Sequence, residues 1–165
     1  MMKALRLLLS TVAVIMALVP ATALASTTYR ESVSGIETGY PYNTKDCQPP
    51  NSVSPFGGVA SGTIDGTFRV AVCHTALTPN AEILGGSFAI MGGTTTVIEE
   101  FSQGGTVTLV IESALDGTCT QTYAVSGSLL PGGKFSGTLT HYGYWTGGSC
   151  SIFFATISGR AQLKT

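Results

Sequence analysis

Two histidines, nine acidic residues and four cysteines are the groups in this 165-residue chain that could do acid–base, metal or redox chemistry. Their spacing supports little of it. There is no CxxC pair, and no cysteine stands at metal-ligand spacing from His74 or His141, so neither zinc nor another cofactor is expected. No Gly-x-Ser-x-Gly elbow, phosphate-binding loop or HExxH segment occurs. The serines of SGTID (61–65) and SGTLTHYG (136–143) have no base signature beside them, which leaves a nucleophilic enzyme unsupported. Glu99 and Glu100 are adjacent, and neighbours on a strand point to opposite faces, so they cannot act as a carboxylate pair. Whichever one points inward needs a partner or a raised pKa, with Arg69 and Arg160 as the mid-strand cations available. An isomerase or cyclase using such a buried carboxylate is the enzymatic alternative.

The densest constellation is His141-Tyr142-Gly143-Tyr144-Trp145, which holds the single tryptophan of the chain. At a barrel mouth, His141, Tyr142, Tyr144 and Trp145 would make a ligand-binding rim, since aromatic rings stack on sugar faces and Tyr and Trp keep a polar handle. The competing role is a cross-strand aromatic cluster that stiffens a hairpin.

Cys47, Cys73, Cys119 and Cys150 suit two disulfides in an oxidising compartment. Export is also signalled by the first 25 residues. Lys3 and Arg6 form a positive region, Leu7 to Val19 an apolar run, and Ala23-Leu24-Ala25 a small-x-small cleavage pattern. This leader is short and simple, in the bacterial manner. Residues 26–165 then form one domain, secreted to the periplasm or the extracellular space. Without Lys3 and Arg6, six cations face nine acidic residues, a net of −3. That excludes a basic nucleic-acid binder and a polybasic membrane-surface protein. No second long apolar run follows, so no transmembrane helix is expected.

The elements that must position these groups are strands. Thr, Val, Ile, Phe and Tyr dominate after residue 26, and turn pairs cut the chain at Asp65-Gly66, Gly92-Gly93, Gly104-Gly105, Asp116-Gly117, Gly132-Gly133 and Gly147-Gly148. Such pairs favour two-residue hairpins. Strands are predicted near 29–37, 59–64, 67–75, 82–91, 94–103, 106–113, 119–129, 134–144 and 149–163. The stretch from Gly39 to Gly58, with Pro49, Pro50 and Pro55, is predicted to be irregular. The fold expected is all-β: an antiparallel up-and-down meander of eight to nine strands closed into a small barrel, because closure removes exposed edges. A β-sandwich is the runner-up.

Strict up-and-down alternation puts the end of the third strand and the end of the eighth on opposite rims. His74 and His141 are then one barrel length apart. The same alternation pairs Cys47 with Cys73 at one rim and Cys119 with Cys150 at the other. The apolar sets Phe68, Val70, Val72 and Val107, Leu109, Ile111 should line the interior. An outer-membrane barrel would reverse these faces, and the chain lacks its aromatic girdles. In outline the expected shape resembles that shared by avidins, lipocalins and the dirigent/allene oxide cyclase group. The likeness is architectural, and no residue carries over from it.

The last strand, 149–163, is apolar on both faces at Ile152-Phe153-Phe154, which points to a homo-oligomer or a covering segment. The function expected is a secreted, non-catalytic barrel that binds a small or carbohydrate-like ligand or a partner protein. A structural or inhibitory protein acting through its outer surface is the remaining alternative, and it would require a packed interior.

Overall fold

The computed structural model describes residues 26–39, 47–77 and 79–165, and the export segment expected at 1–25 lies outside them. Nine strands form a single sheet: β1 (Thr28–Glu37), β2 (Ser52–Gly62), β3 (Gly66–His74), β4 (Asn80–Gly92), β5 (Thr95–Phe101), β6 (Gly105–Leu115), β7 (Thr118–Leu130), β8 (Gly133–Thr146) and β9 (Ser149–Lys164). The described residues include no helix, and hence none long and apolar enough to cross a membrane. Every pairing is antiparallel. β1 joins β2 on one side and β9 on the other, so the sheet closes on itself.

The closed ring has eight lanes, because β5 and β6 share one. Gly86–Gly92 of β4 pair with β5, and Asn80–Ile83 of the same edge pair with β6. On the far side, β7 pairs with β6 over Thr118–Ser126 and with β5 at Leu129 and Leu130. β6 therefore continues in the direction of β5. Gly104-Gly105 is not the hairpin that its sequence suggests. Between Phe101↔Gly86 and Gly105↔Ile83, three residues face two, which is a β-bulge. Gly104 has φ +90°, and its N–H donates to the Ile83 carbonyl at 3.1 Å, while Ser102 N–H donates to the Ser128 carbonyl at 3.0 Å. Both neighbouring lanes run straight past the kink, so the chain bends without reversing.

This one difference reassigns the rims. With the upper rim defined as the end of β3, strands β1, β3, β5, β6 and β8 run up, and β2, β4, β7 and β9 run down. His74 and His141 therefore lie toward the same rim, contrary to the expected barrel-length separation. The disulfides are Cys47–Cys73 and Cys119–Cys150, with Cα separations of 5.6 and 5.8 Å, as expected. The expected reason for the pairing does not hold, since all four cysteines share the upper rim. Lateral adjacency selects the partners. Cys119 and Cys150 lie on the strands flanking β8, and they meet across Gly143. A Cβ at Gly143 would stand 2.8 Å from Cys150 Sγ, so the missing side chain makes room for the bridge.

A second correction concerns Pro55, predicted to lie in an irregular stretch but found inside β2. It pairs with Ala71 of β3, while its other side faces the place where β1 gives out after Glu37↔Phe56. There its carbonyl accepts from Thr38 N–H at 2.9 Å, and its missing donor leaves no ladder position unpaired.

Inside, the alternation is as expected except at Ile111, which a register shift after Leu109 turns to the outer face, where it is exposed. Four phenylalanines from four lanes fill the ring: Phe68–Phe88 at 6.1 Å between centroids, Phe88–Phe135 at 5.9 Å, Phe88–Phe101 at 6.3 Å and Phe101–Phe135 at 6.3 Å. The void left between these rings, Val125 and Ile157 is about 20 Å³. It is apolar throughout and of the order of one water, so it stays dry. The outer face is mixed, with Ser, Thr, Arg and Lys beside exposed Ile36, Val59 and Ile98.

A Cβ at Gly104 would meet nothing within 4 Å, so substitution there isolates the backbone term. Gly104→Ala should lower stability by about 1 kcal/mol, the typical cost of a non-glycine residue at positive φ. Urea unfolding measures it; an unshifted midpoint would mean that the bulge forms without this conformation.

Candidate functional site

Strands β6 to β9 outrun their neighbours. β9 loses β1 beyond Ile36↔Thr156, and β6 loses β4 beyond Asn80↔Thr108. The surplus forms a four-stranded flap above the upper rim, comprising residues 110–115, 118–122, 141–146 and 149–155. Its two hairpins turn at Asp116-Gly117 (φ 49° and 77°) and Gly147-Gly148 (φ 58° and 83°), the left-handed pairs that a two-residue turn requires. Trp145 N–H donates to the Gly117 carbonyl at 2.9 Å, and Cys119–Cys150 ties the hairpins together.

Alternation along β8 divides the expected binding rim. Tyr142 and Tyr144 point to the outer face of the flap. His141 and Trp145, odd-numbered like the interior Phe135 and Leu139, point to the face continuous with the barrel interior. The four residues are therefore not one site. The outer pair is completed from β9. Tyr142 meets Phe154 with ring centroids 5.8 Å apart, and a register shift beside Gly143 brings Phe153 within 4.9 Å of Tyr144. Tyr144 is 57% exposed and Phe153 62%. Ile111 and Leu115 of β6 share this outer face and are also exposed. At the base of the flap, Phe153 and Phe154 wall a groove of about 440 Å³ whose other side is Glu37, Thr38 and Pro55.

The inner face holds groups that sequence reasoning passed over. Tyr123 packs its ring 5.2 Å from that of His141, its O–H donates to Gln121 Oε1 at 3.0 Å, and Gln121 Nε2–H donates to Glu112 Oε1 at 2.7 Å. The signal for Tyr123 and Gln121 was present, since both share the parity of inward Val125. Burial lowers the pKa of His141, and the nearby His74 adds to the effect. Burial raises that of Tyr123, with Glu112 adding to it. His74 is buried and has a partner at each ring nitrogen, the Thr75 carbonyl at Nδ1 (2.6 Å) and Ser54 Oγ at Nε2 (2.9 Å). Ser54 Oγ thus stands against an imidazole oriented by a backbone carbonyl, with no carboxylate among its hydrogen-bond partners.

The carboxylate reading also changes. Glu99 points inward and Glu100 outward, while Arg69 and Arg160 are exposed on the outside and cannot pair with Glu99. Glu99 Oε1 accepts from Lys164 N–H, and Oε2 has no partner. Glu31, also buried, accepts from Ile64 N–H at 2.8 Å and likewise leaves Oε2 unpartnered. Burial raises the pKa of both. Among the described residues no group of three or more His, Cys, Asp or Glu could hold a metal ion. No protein-family model, curated protein or solved structure matches this chain.

Raised carboxyl pKa values have a definite consequence. The folded chain holds protons that the unfolded chain releases above pH 4.5, the ordinary glutamate value. Stability from these two sites is greatest below that pH and falls as pH rises through the folded-state values. Glu99→Gln should flatten the decline and leave the protein at least as stable at neutral pH. Urea unfolding at a series of pH values tests this, and a variant with the full wild-type decline would rule out Glu99 as a source.

Proposed function

We propose that this chain is an exported, non-catalytic binding protein whose outer surface does the work, with the aromatic face of the flap docking a partner protein, in the first instance a second copy of the chain. The observation that carries this reading is where the large apolar side chains lie. The void among the central phenylalanine rings is about 20 Å³, while Tyr142, Tyr144, Phe153 and Phe154 form paired rings on an exposed face. A contiguous apolar patch of this kind marks a contact surface. Phe153 and Phe154 carry no polar handle, and Ile111 and Leu115 extend the patch, which favours a protein surface over a sugar ring. Two segments beside the patch, 150–155 of β9 and 110–115 of β6, pair only with β8 and β7 respectively, and their other edges are open among the described residues. The disulfides support an oxidising compartment.

Light scattering across the micromolar range should give particles of more than one chain, and the double variant Tyr144→Ser/Phe153→Ser should give monomers with an unchanged melting temperature. If the wild type is a monomer and neutral glycan quenches Trp145 fluorescence, the flap binds sugar. If the variant unfolds instead, the rings serve the fold.

A further inference from the structure

At the opposite end of the barrel, the outer face gathers most of the positive charge of the domain. Outward residues align across adjacent lanes as Ser61↔Ser32↔Arg160↔Ser136, and one step lower as Arg30↔Gln162↔Lys134. Lys164 follows on the same face of β9. Four of the six cations that remain after Lys3 and Arg6 are set aside thus lie on three adjacent strands of an acidic chain. Arg30, Lys134 and Arg160 are exposed, and among the described residues none forms an ion pair. They line a groove of about 500 Å³, a volume in the range of small-ligand sites. Its remaining polar lining is Ser32, Ser61, Ser136, Gln162 and Glu31, and the Glu31 side chain is buried, with Oε1 accepting from Ile64 N–H inside the barrel.

From this arrangement we infer that the groove binds an acidic polysaccharide, one bearing carboxylate or sulfate groups. Three features select that class. Cations on neighbouring and next-neighbouring lanes stand roughly 5–10 Å apart, so a linear polyanion crossing the strands meets one after another. Serine hydroxyls and the Gln162 amide alternate with the cations and offer both donors and acceptors to sugar hydroxyls. The lining contains no aromatic residue and only Ala161 as an apolar one, which gives no platform for a base and no surface for an acyl chain. Guanidinium groups bind carboxylate and sulfate through paired N–H donors, and two of the three lining cations are arginines. The inference shares no residue with the flap and does not depend on its role.

The test uses the full exported chain with polygalacturonate, dextran sulfate and neutral dextran as probes, followed by calorimetry at rising salt. One or both polyanions should bind, with affinity falling as salt rises, and neutral dextran should not. The triple variant Arg30→Gln/Lys134→Gln/Arg160→Gln should bind about tenfold or more weakly, equivalent to about 1.4 kcal/mol, with an unchanged melting temperature. Arg69→Gln, on a different face, should bind like the wild type. Loss of affinity in Arg69→Gln to the same degree would reduce the effect to net charge and overturn the site. So would undiminished binding by the triple variant, or no binding of either polyanion at low salt.

Discussion

Every outward feature of this molecule follows from how one lane of the ring is filled. β4 and β7 are separated by a single lane, and two chain segments of different length, Thr95–Phe101 and Gly105–Leu115, share it end to end. If the chain reversed at Gly104, there would be nine lanes, a wider interior and an opposite polarity for everything downstream. Because it continues, there are eight, the number at which side chains alone can fill a barrel. Four phenylalanines then suffice to close the centre. The same continuity brings β6 up past the end of β4 and sets both long hairpins on the rim that holds Cys73 and His74.

The flap is a consequence of that bookkeeping in length. Once β6 ascends from the bulge, its residues beyond Thr108 have no β4 to pair with, and β7, β8 and β9 rise with it. A sheet that leaves its barrel has two faces in solvent. Here one carries Trp145, Ile152 and the Cys119–Cys150 bridge, and the other carries Tyr144 and Phe153, the more exposed pair. The bridge holds β7 and β9 at a Cα distance of 5.8 Å, well below two strand spacings, so the sheet is pinched at Gly143. The register shift next to that pinch is what turns Phe153 to the same side as Tyr144. The aromatic face and the disulfide are thus two results of one local distortion.

Most of the framework could be read in the residues. The Asp116-Gly117 and Gly147-Gly148 turns, the inward Phe68 and Val70 and the closure of the sheet follow from turn chemistry and a period of two. Gly104-Gly105 was opaque for a physical reason. A glycine at positive φ serves a bulge as well as a turn, and only the partners across the lane distinguish them. That ambiguity alone moved His141 and Cys119 to the wrong rim. Pro55 fits inside a strand because its missing N–H matters only where a neighbour needs it, and β1 ends at that point. The division of Tyr142 and Tyr144 from His141 and Trp145 was legible, since alternation along a strand already separates them.

The two buried carboxyls show how a closed barrel handles its lower rim. A ring of strands satisfies backbone groups everywhere except at its ends, where N–H donors lose their ladder partners. Ile64 lies in the turn between β2 and β3, and Lys164 closes β9. Glu31 and Glu99 reach these two N–H groups from inside. An unpartnered oxygen on each adds to the cost of ionising it, and burial raises the pKa of both. Arg30, Lys134, Arg160 and Lys164 lie on the outer side of the same rim and form no ion pair among the described residues. Acid enclosed within and base displayed outside leave this end of the barrel presenting positive charge to whatever approaches it, even though the domain as a whole is acidic.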